Sequence, residues 1–382
     1  MEPVLIAGAG IGGLALAAGL ARRDIPALVV EQADRLAPVG AGLTVQPNAV
    51  LALRRLGLSK PLESAGVPLT AAGIYDAVGR ALIRQSAAQS RALFEEVGAP
   101  ALGLHRATVH EALVGQLGAS ELRLGAMVTA VTPQTATVTL AGGAKIHGSV
   151  LVGADGVRSI VRTSLLGTSP LRYSGYYCWR GVTHASPFPD GWAGEFWGSG
   201  HRFGGCSIDG GRFYWFLCAN GPAGGADSDT RAAVTQAAAE FIPAVRQTVQ
   251  DTPVAAIRRD DLSDRPPVSQ WGTGRATLIG DAAHPMTPNL GQGACQAIED
   301  ALALTDFISQ YGAEPDALRR YERFRCSRAN AVVRASRQAG RVASWEGPVR
   351  TRARNALARL VPASAMARQL RSSWALPSAT SG

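Results

Sequence analysis

Val4-Leu5-Ile6-Ala7-Gly8-Ala9-Gly10-Ile11-Gly12-Gly13-Leu14-Ala15-Leu16-Ala17-Ala18-Gly19-Leu20-Ala21 stands almost at the start of the chain. A short apolar run passes at once into glycines and then into an alanine- and leucine-rich segment, which reads as strand, tight turn and helix. In that order each glycine has its own task. Gly8 makes the turn, Gly10 lets backbone approach a pyrophosphate, and Gly13 lets the helix lie close against the strand. A second apolar run, Ala27-Leu28-Val29-Val30, delivers Glu31 about 20 residues beyond the glycines, where a carboxylate accepts from ribose hydroxyls. These features together predict a Rossmann-like unit that binds a dinucleotide, and leave FAD and NAD as alternatives.

A second stretch favours FAD. Thr277-Leu278-Ile279-Gly280-Asp281 reads as a strand that brings a carboxylate to the sheet edge. Pro285 and Pro288 then bar a helix until about Leu290, after which Gly291-Gln292-Gly293 leads into a helix running to Tyr311. Backbone N–H groups at such a helix start, with Gly291 and Gly293 lacking side chains, can meet a flat, electron-rich ring. Between these two stretches, Leu151-Val152-Gly153-Ala154-Asp155-Gly156 again delivers an aspartate and glycines to a sheet edge ahead of a helix from Ser159 to Leu166. Three loops are thus expected to converge on one ligand. Pro38-Val39-Gly40-Ala41-Gly42-Leu43 is a further glycine-rich loop, whose Gly42 would let backbone approach the ring, and a helix is expected from Pro47 to Leu56. Arg106 opens a helix, where the dipole disfavours a cation, so it has either an anionic partner or only solvent.

Residues 73–102 read as strands and turns, and 170–269 gather most of the aromatic residues in β-prone runs such as Arg212-Phe213-Tyr214-Trp215-Phe216-Leu217. These segments predict an antiparallel sheet forming a wall for a flat substrate, with one helix from Asp229 to Val249 packed on it. Strands are also expected at 122–124, 127–131, 136–140 and 145–152. The helical region from Pro315 to Arg341 carries Arg319, Arg320, Arg323, Arg325 and Arg328, expected as a mostly solvated face. Beyond Gly347 the arginine-rich tail has rough helical spacing and is expected to dock on the body in preference to a membrane surface, ending in a frayed polar terminus.

The 382 residues, 46% of them hydrophobic, allow a sizeable core. A net charge of +9 suits anionic small molecules. No zinc-finger spacing, lysine-rich block or basic aromatic strand supports nucleic-acid binding. The five cysteines are widely spaced without a CxxC pair, so reduced thiols and no metal site are expected. With no leader-like segment and no long apolar run, a cytoplasmic location is expected.

Taken together, the three loops resemble the class A flavoprotein monooxygenases, the para-hydroxybenzoate hydroxylase family, from Val4 to at least Arg341. The resemblance implies an α/β fold in which a glutathione-reductase-type FAD domain (residues 1–72, 103–169 and 270–345) carries a β-sheet substrate domain (73–102 and 170–269), followed by a C-terminal helix and tail (346–382). It implies FAD contacts from Gly8, Gly10, Gly13, Glu31, Gly42, Arg106, Asp155, Asp281, Gly291 and Gly293. Asp281-Ala282-Ala283-His284-Pro285 with Pro288 to Gly293 is most similar to the branch containing flavin urate hydroxylase and zeaxanthin epoxidase. Arg202 and Tyr214 stand where the urate enzyme has a pocket arginine and tyrosine. Asn289 replaces that enzyme's aspartate, which removes a general base and argues against urate.

The implied chemistry consumes NADH or NADPH and O2 and transfers oxygen from a C4a-hydroperoxyflavin to a small aromatic or heteroaromatic ring. Pro288 and Asn289 belong to the loop expected to keep that site dry, while Arg202 and Tyr214 hold the substrate anion. His284 is expected to be structural. An alkene epoxidase and a flavin-binding protein without oxygenase activity are the alternative readings, and the chain is expected as a monomer or homodimer.

Overall fold

The computed structural model describes residues 2–36 and 41–377. A five-stranded parallel sheet has the order β18 (Ala276–Leu278), β12 (Leu151–Gly153), β1 (Val4–Ala7), β2 (Ala27–Val30), β8 (Glu121–Arg123). All four residues of β1 and of β2 are buried, as befits strands covered on both faces. Helix α1 (Ile11–Ala21) crosses between them, and its small residues let it pack against α9 (Gly293–Tyr311). The glycine spacing has a steric cause. Gly8 has φ +107°, and a Cβ there would stand 2.5 Å from the Ala154 carbonyl oxygen; one on Gly13 would stand 2.1 Å from that of Gly8.

Around this sheet lie α2 (Pro47–Leu56), α3 (Lys60–Ala65), α5 (Arg106–Val114), α6 (Ile160–Leu166) and the long α10 (Pro315–Ala343). A small antiparallel sheet joins β9 (Val128–Thr132), β10 (Thr137–Leu140) and β11 (Lys145–His147). The single strand expected over 145–152 is therefore two. The chain leaves β11 at Gly148 to enter the parallel sheet at Leu151, so the halves pair in different sheets.

A seven-stranded sheet has the order β17 (Arg258–Asp264), β13 (Arg172–Thr183), β16 (Arg212–Asn220), β15 (His201–Ile208), β14 (Trp192–Trp197), β5 (Ala71–Asp76), β6 (Ala81–Gln85). Strand alternation divides its aromatics. Trp179, Phe196, Phe203, Phe213 and Trp215 build a core with Val234, Phe241, Val245 and Val249 beneath, whereas Arg180, Arg202, Tyr214 and Phe216 line a cleft. Two helices, α7 (Thr230–Ala238) and α8 (Pro243–Asp251), replace the one expected over 229–249, because Pro243 removes a donor and starts a new helix. Residues 73–102 also differ from expectation, since α4 (Ala87–Val97) lies among them. Its N-terminus is a capping box in which Ser86 accepts from Gln89 N and Gln89 reaches back to Ser86 N.

The seven-stranded sheet is mixed and not the antiparallel one expected, since β14 and β5 run parallel, and a second small antiparallel sheet, β3 (Gly42–Val45), β7 (Leu102–His105) and β4 (Val67–Pro68), lies against its β15 and β16. The tail forms α11 (Pro348–Arg359) and α12 (Ala363–Trp374); Trp374 is buried and residues 378–382 lie outside the described residues. Among the described residues no helix is long and apolar enough to cross a membrane, no acidic, histidine or cysteine group could hold a metal ion, and all five cysteines are free.

Candidate active site

A continuous cleft of about 1570 Å³ separates the parallel sheet from the seven-stranded one. Gly10, Arg106, Gly156, Asp281, Gly291 and Gly293 line one side. Gly10 caps α1 and Gly293 begins α9, both without a side-chain cap, and a Cβ on either would meet nothing within 4 Å. Free N–H groups at two helix starts, with open space in front of them, suit a phosphate-bearing cofactor. Asp281 faces the cleft, where burial raises its carboxyl pKa while the charges of His284 and Arg106 oppose the rise.

The other expected cofactor residues act at one remove. Glu31 accepts from Ala9 N at 2.8 Å and Ala33 N at 3.0 Å, which orders the glycine turn itself. The Asp155 carboxylate departs from expectation. It accepts from Ser159 Oγ at 2.5 Å and from the backbone N–H groups of Ile160 and Val161 at 2.8 and 3.1 Å, capping α6, while Ala154, Gly156 and Val157 line the cleft in its place. Of the second glycine-rich loop, Pro38, Val39 and Gly40 lie outside the described residues. Gly42 begins β3 in the cleft wall, where a Cβ would come within 2.3 Å of Tyr214 Cβ.

Asp281 is held by a buried scaffold that the sequence reading did not assign. Asp300 Oδ2 accepts from Gly280 N at 2.9 Å and hydrogen-bonds His284 Nε2 at 2.6 Å, fixing the turn that carries Asp281. Arg325 Nε donates to Asp300 Oδ1 at 2.8 Å, and Nη1 pairs with Glu299. Arg325 is 1% exposed. The solvated-arginine reading of α10 is corrected for three of the five: Arg325 is a core residue, Arg328 also pairs with Glu299 at 2.8 Å and Arg319 pairs with Glu322 at 2.7 Å, while Arg323 is exposed and Arg320 makes a surface pair with Asp316. Asn48 Nδ2 donates to Glu299 Oε1 at 2.7 Å and to Gln292 Oε1 at 3.0 Å, extending the network to the start of α9.

The four residues expected to carry chemistry come from both walls, Arg202 and Tyr214 from the seven-stranded sheet and Pro288 and Asn289 from the turn that runs into Gly291. Arg202 Nη2 donates to Asn289 Oδ1 at 2.6 Å, bringing together residues from β15 and the Pro288–Leu290 turn. Arg202 is 2% exposed, lies 3.6 Å from both Glu195 and Cys218 Sγ, and sits over the Phe216 ring at 5.6 Å. Its Nε has no hydrogen-bond partner among the described residues. Asn289 Nδ2 donates to Thr287 Oγ1 at 2.7 Å and to the Ser336 carbonyl at 2.8 Å, and Tyr176 Oη lies 2.9 Å away. Such a saturated amide holds Arg202 in place and has no capacity for proton transfer. Gly340 on α10 makes room for the cluster, since a Cβ there would fall 2.2 Å from Tyr176 Oη.

Pro288 and Tyr214 also line the cleft. Burial pushes the Tyr214 hydroxyl pKa well up despite the neighbouring Arg180 charge, so it stays a neutral donor. Arg180, also in the cleft and 3.8 Å from Asp260, was not singled out in the sequence, although its place on the alternating strand β13 marks it.

The cleft thus sets a dinucleotide cradle against an arginine-bearing aromatic sheet. The family described as "FAD binding domain" matches residues 1–336, and the chain belongs to that family, within its aromatic hydroxylase branch. It is 41% identical to Aurachin C monooxygenase/isomerase of Stigmatella aurantiaca, covering 94% of each chain. It is 34% identical to 2-heptyl-3-hydroxy-4(1H)-quinolone synthase of Pseudomonas aeruginosa strain UCBPP-PA14, again over 94% of each. The crystal structure of Klebsiella pneumoniae HpxO with FAD and uric acid superposes with a TM-score of 0.90 at 29% identity, covering 98% of this chain and 96% of the other.

Replacing Asp281 by Ala is expected to weaken FAD retention by about ten- to a hundredfold, the worth of a charge-assisted hydrogen bond. Flavin per chain after gel filtration measures it, and wild-type flavin content would remove Asp281 from the binding set.

Proposed function

We propose that this monooxygenase hydroxylates a nitrogen heteroaromatic ring bearing an acidic enol or N–H, of the 4-quinolone type, and that Arg202 and Tyr214 hold its oxygen. When bound, FAD reduced by NAD(P)H supplies the reactive oxygen from O2. Residues 1–72, 103–169 and 270–345 hold that cofactor in this reading, and residues 73–102 and 170–269 hold the ring.

The observation that carries the proposal is the bond from buried Arg202 to Asn289, which holds a cation against the Pro288–Gly293 turn. A cation stabilises the anionic form of an enol, and the anionic ring is the more electron-rich one. Asn289 orients the guanidinium without accepting a proton. The substrate must therefore bring an oxygen acidic enough to ionise beside an arginine. Tyr214 donates to the same oxygen, and Pro288, having no N–H, presents an apolar edge that excludes water. A relative named as a 2-heptyl-3-hydroxy-4(1H)-quinolone synthase supports the ring class.

The test is NAD(P)H oxidation and O2 uptake by the FAD-loaded enzyme with 4-quinolones, hydroxybenzoates and urate, the product identified by mass. Quinolones are expected to give coupled turnover with one oxygen atom added. Turnover of hydroxybenzoates alone would overturn the ring class.

A further inference from the structure

We infer that the ring carries an apolar chain, alkyl or prenyl, seated in an arm of the cleft roofed by the C-terminal helix α12; this rests on the ring hydroxylation proposed above and extends it. The sheet order places β6 three strands beyond β15, about 14 Å at the usual strand spacing. Across that distance the lining changes character. Arg180, Arg202 and Tyr214 stand at one end; Ile74, Leu82, Leu93, Met366, Ala367 and Leu370 stand at the other, where Arg84 and Gln85 of β6 are also part of the lining.

Two helices supply the walls of the arm. From α4 come Ala92 and Leu93; from α12 come Ala363, Met366, Ala367 and Leu370, spaced i, i+3, i+4, i+7 along one face. A stripe of this kind normally closes onto a core. Here Met366, Ala367 and Leu370 are only partly buried and line the cleft.

The roof is fastened at its C-terminal turn. Arg371 Nε pairs with Glu96 Oε1 at 2.7 Å, Trp374 Nε1 donates to Gln46 Oε1 at 2.8 Å, and the Trp374 ring lies 5.9 Å from that of Phe94. The preceding helix α11 is tied by Arg359 to Asp76 at 3.1 Å. A helix so anchored, yet turning apolar side chains toward the cleft, leaves a face that a small polar ring would not cover. An apolar chain would remove it from water. Gln89 and Glu96 lie one turn to either side of Ala92 and Leu93 on α4, so the apolar stretch is bounded and the chain has a limit.

Calorimetric titration of the FAD-loaded enzyme with 2-alkyl-4(1H)-quinolones from methyl to nonyl tests this. Kd is expected to fall about fourfold per added methylene, the transfer value for a buried CH2, and then to level off where the chain meets the polar rim. Ala367→Trp on α12 and, independently, Ala92→Trp on the facing wall are expected to move the levelling point to a shorter chain, with flavin content reporting folding. A wild-type Kd that does not depend on chain length, or folded tryptophan variants with an unshifted levelling point, would overturn the inference. A flat Kd alongside coupled hydroxylation removes the chain pocket alone. A steep Kd without O2 uptake removes the ring hydroxylation and leaves the chain pocket standing.

Discussion

Replacing Arg325 by Met is expected to destabilise the fold by about 3 kcal/mol near neutral pH, the low end of the loss for breaking a buried ion pair, because it removes the cation that two buried carboxylates share and leaves Glu299 to Arg328 and Asp300 to His284. Arg325 sits between Glu299 and Asp300, each 2% exposed or less. Burial alone would raise the Asp300 pKa, but the charges of His284 and Arg325 and the bonds from His284 and Gly280 outweigh it and hold it down to about 2. An unfolded aspartate titrates near 4. The folded value is therefore the depressed one, and its contribution to stability is present above about pH 4 and is lost as pH falls through about 2. In Arg325→Met the share of that contribution that Arg325 supplies is absent at every pH, while the share from His284 and Gly280 remains. Urea melts of the two proteins are expected to differ most near neutral pH and to converge toward pH 2. A gap that stays constant with pH would show that Arg325 contributes packing and not charge. Because Asp300 also fixes Gly280 N and His284, the variant is expected to lose FAD as well.

That arginine also shows where sequence reading stops. The strand, glycine turn and helix at the amino terminus and the strand that runs up to Gly280 were legible because each is written within about 30 residues and local backbone geometry enforces it. Arg325 has four arginine neighbours on α10 with the same composition around them. What distinguishes it is two carboxylates on α9, 25 and 26 residues away. No periodicity within α10 contains that information. Asp155 failed for a different reason: a carboxylate at a strand end can face a ligand or turn to cap the following helix, and Ser159 at the cap position was the local sign of the second outcome. Helix α4 was announced by Ser86 and Gln89, but only Ser90 and Leu93 of its residues are buried, so its apolar period was too weak to register. The Arg202–Asn289 pair spans 87 residues, and only the meeting of two sheets creates it.

Arg202→Met is expected to lower kcat/KM on the preferred ring by about 10²–10³, the usual loss when one charge-stabilising donor leaves a dry site. FAD content should match wild type, because Asn289 keeps its bonds to Thr287 and the Ser336 carbonyl when Arg202 is gone, so the Pro288–Gly293 turn stays held. If the guanidinium holds the ring oxygen as an anion, its removal raises the pKa of the bound ring. The rising limb of the pH profile, which marks substrate ionisation, should then move to higher pH, and activity should recover partly in alkaline buffer. A residue that merely supported the fold would lower activity at all pH values alike. Arg202→Lys is expected to be intermediate, since an ammonium keeps the charge but cannot reach Asn289 while its fork also faces Glu195 and the ring. More NAD(P)H should be consumed per product formed in the Met variant, because a ring held without its charge partner reacts more slowly than the reduced cofactor is spent. Kinetics and coupling within twofold of wild type would take Arg202 out of the reaction and leave it as the counter-charge to Glu195.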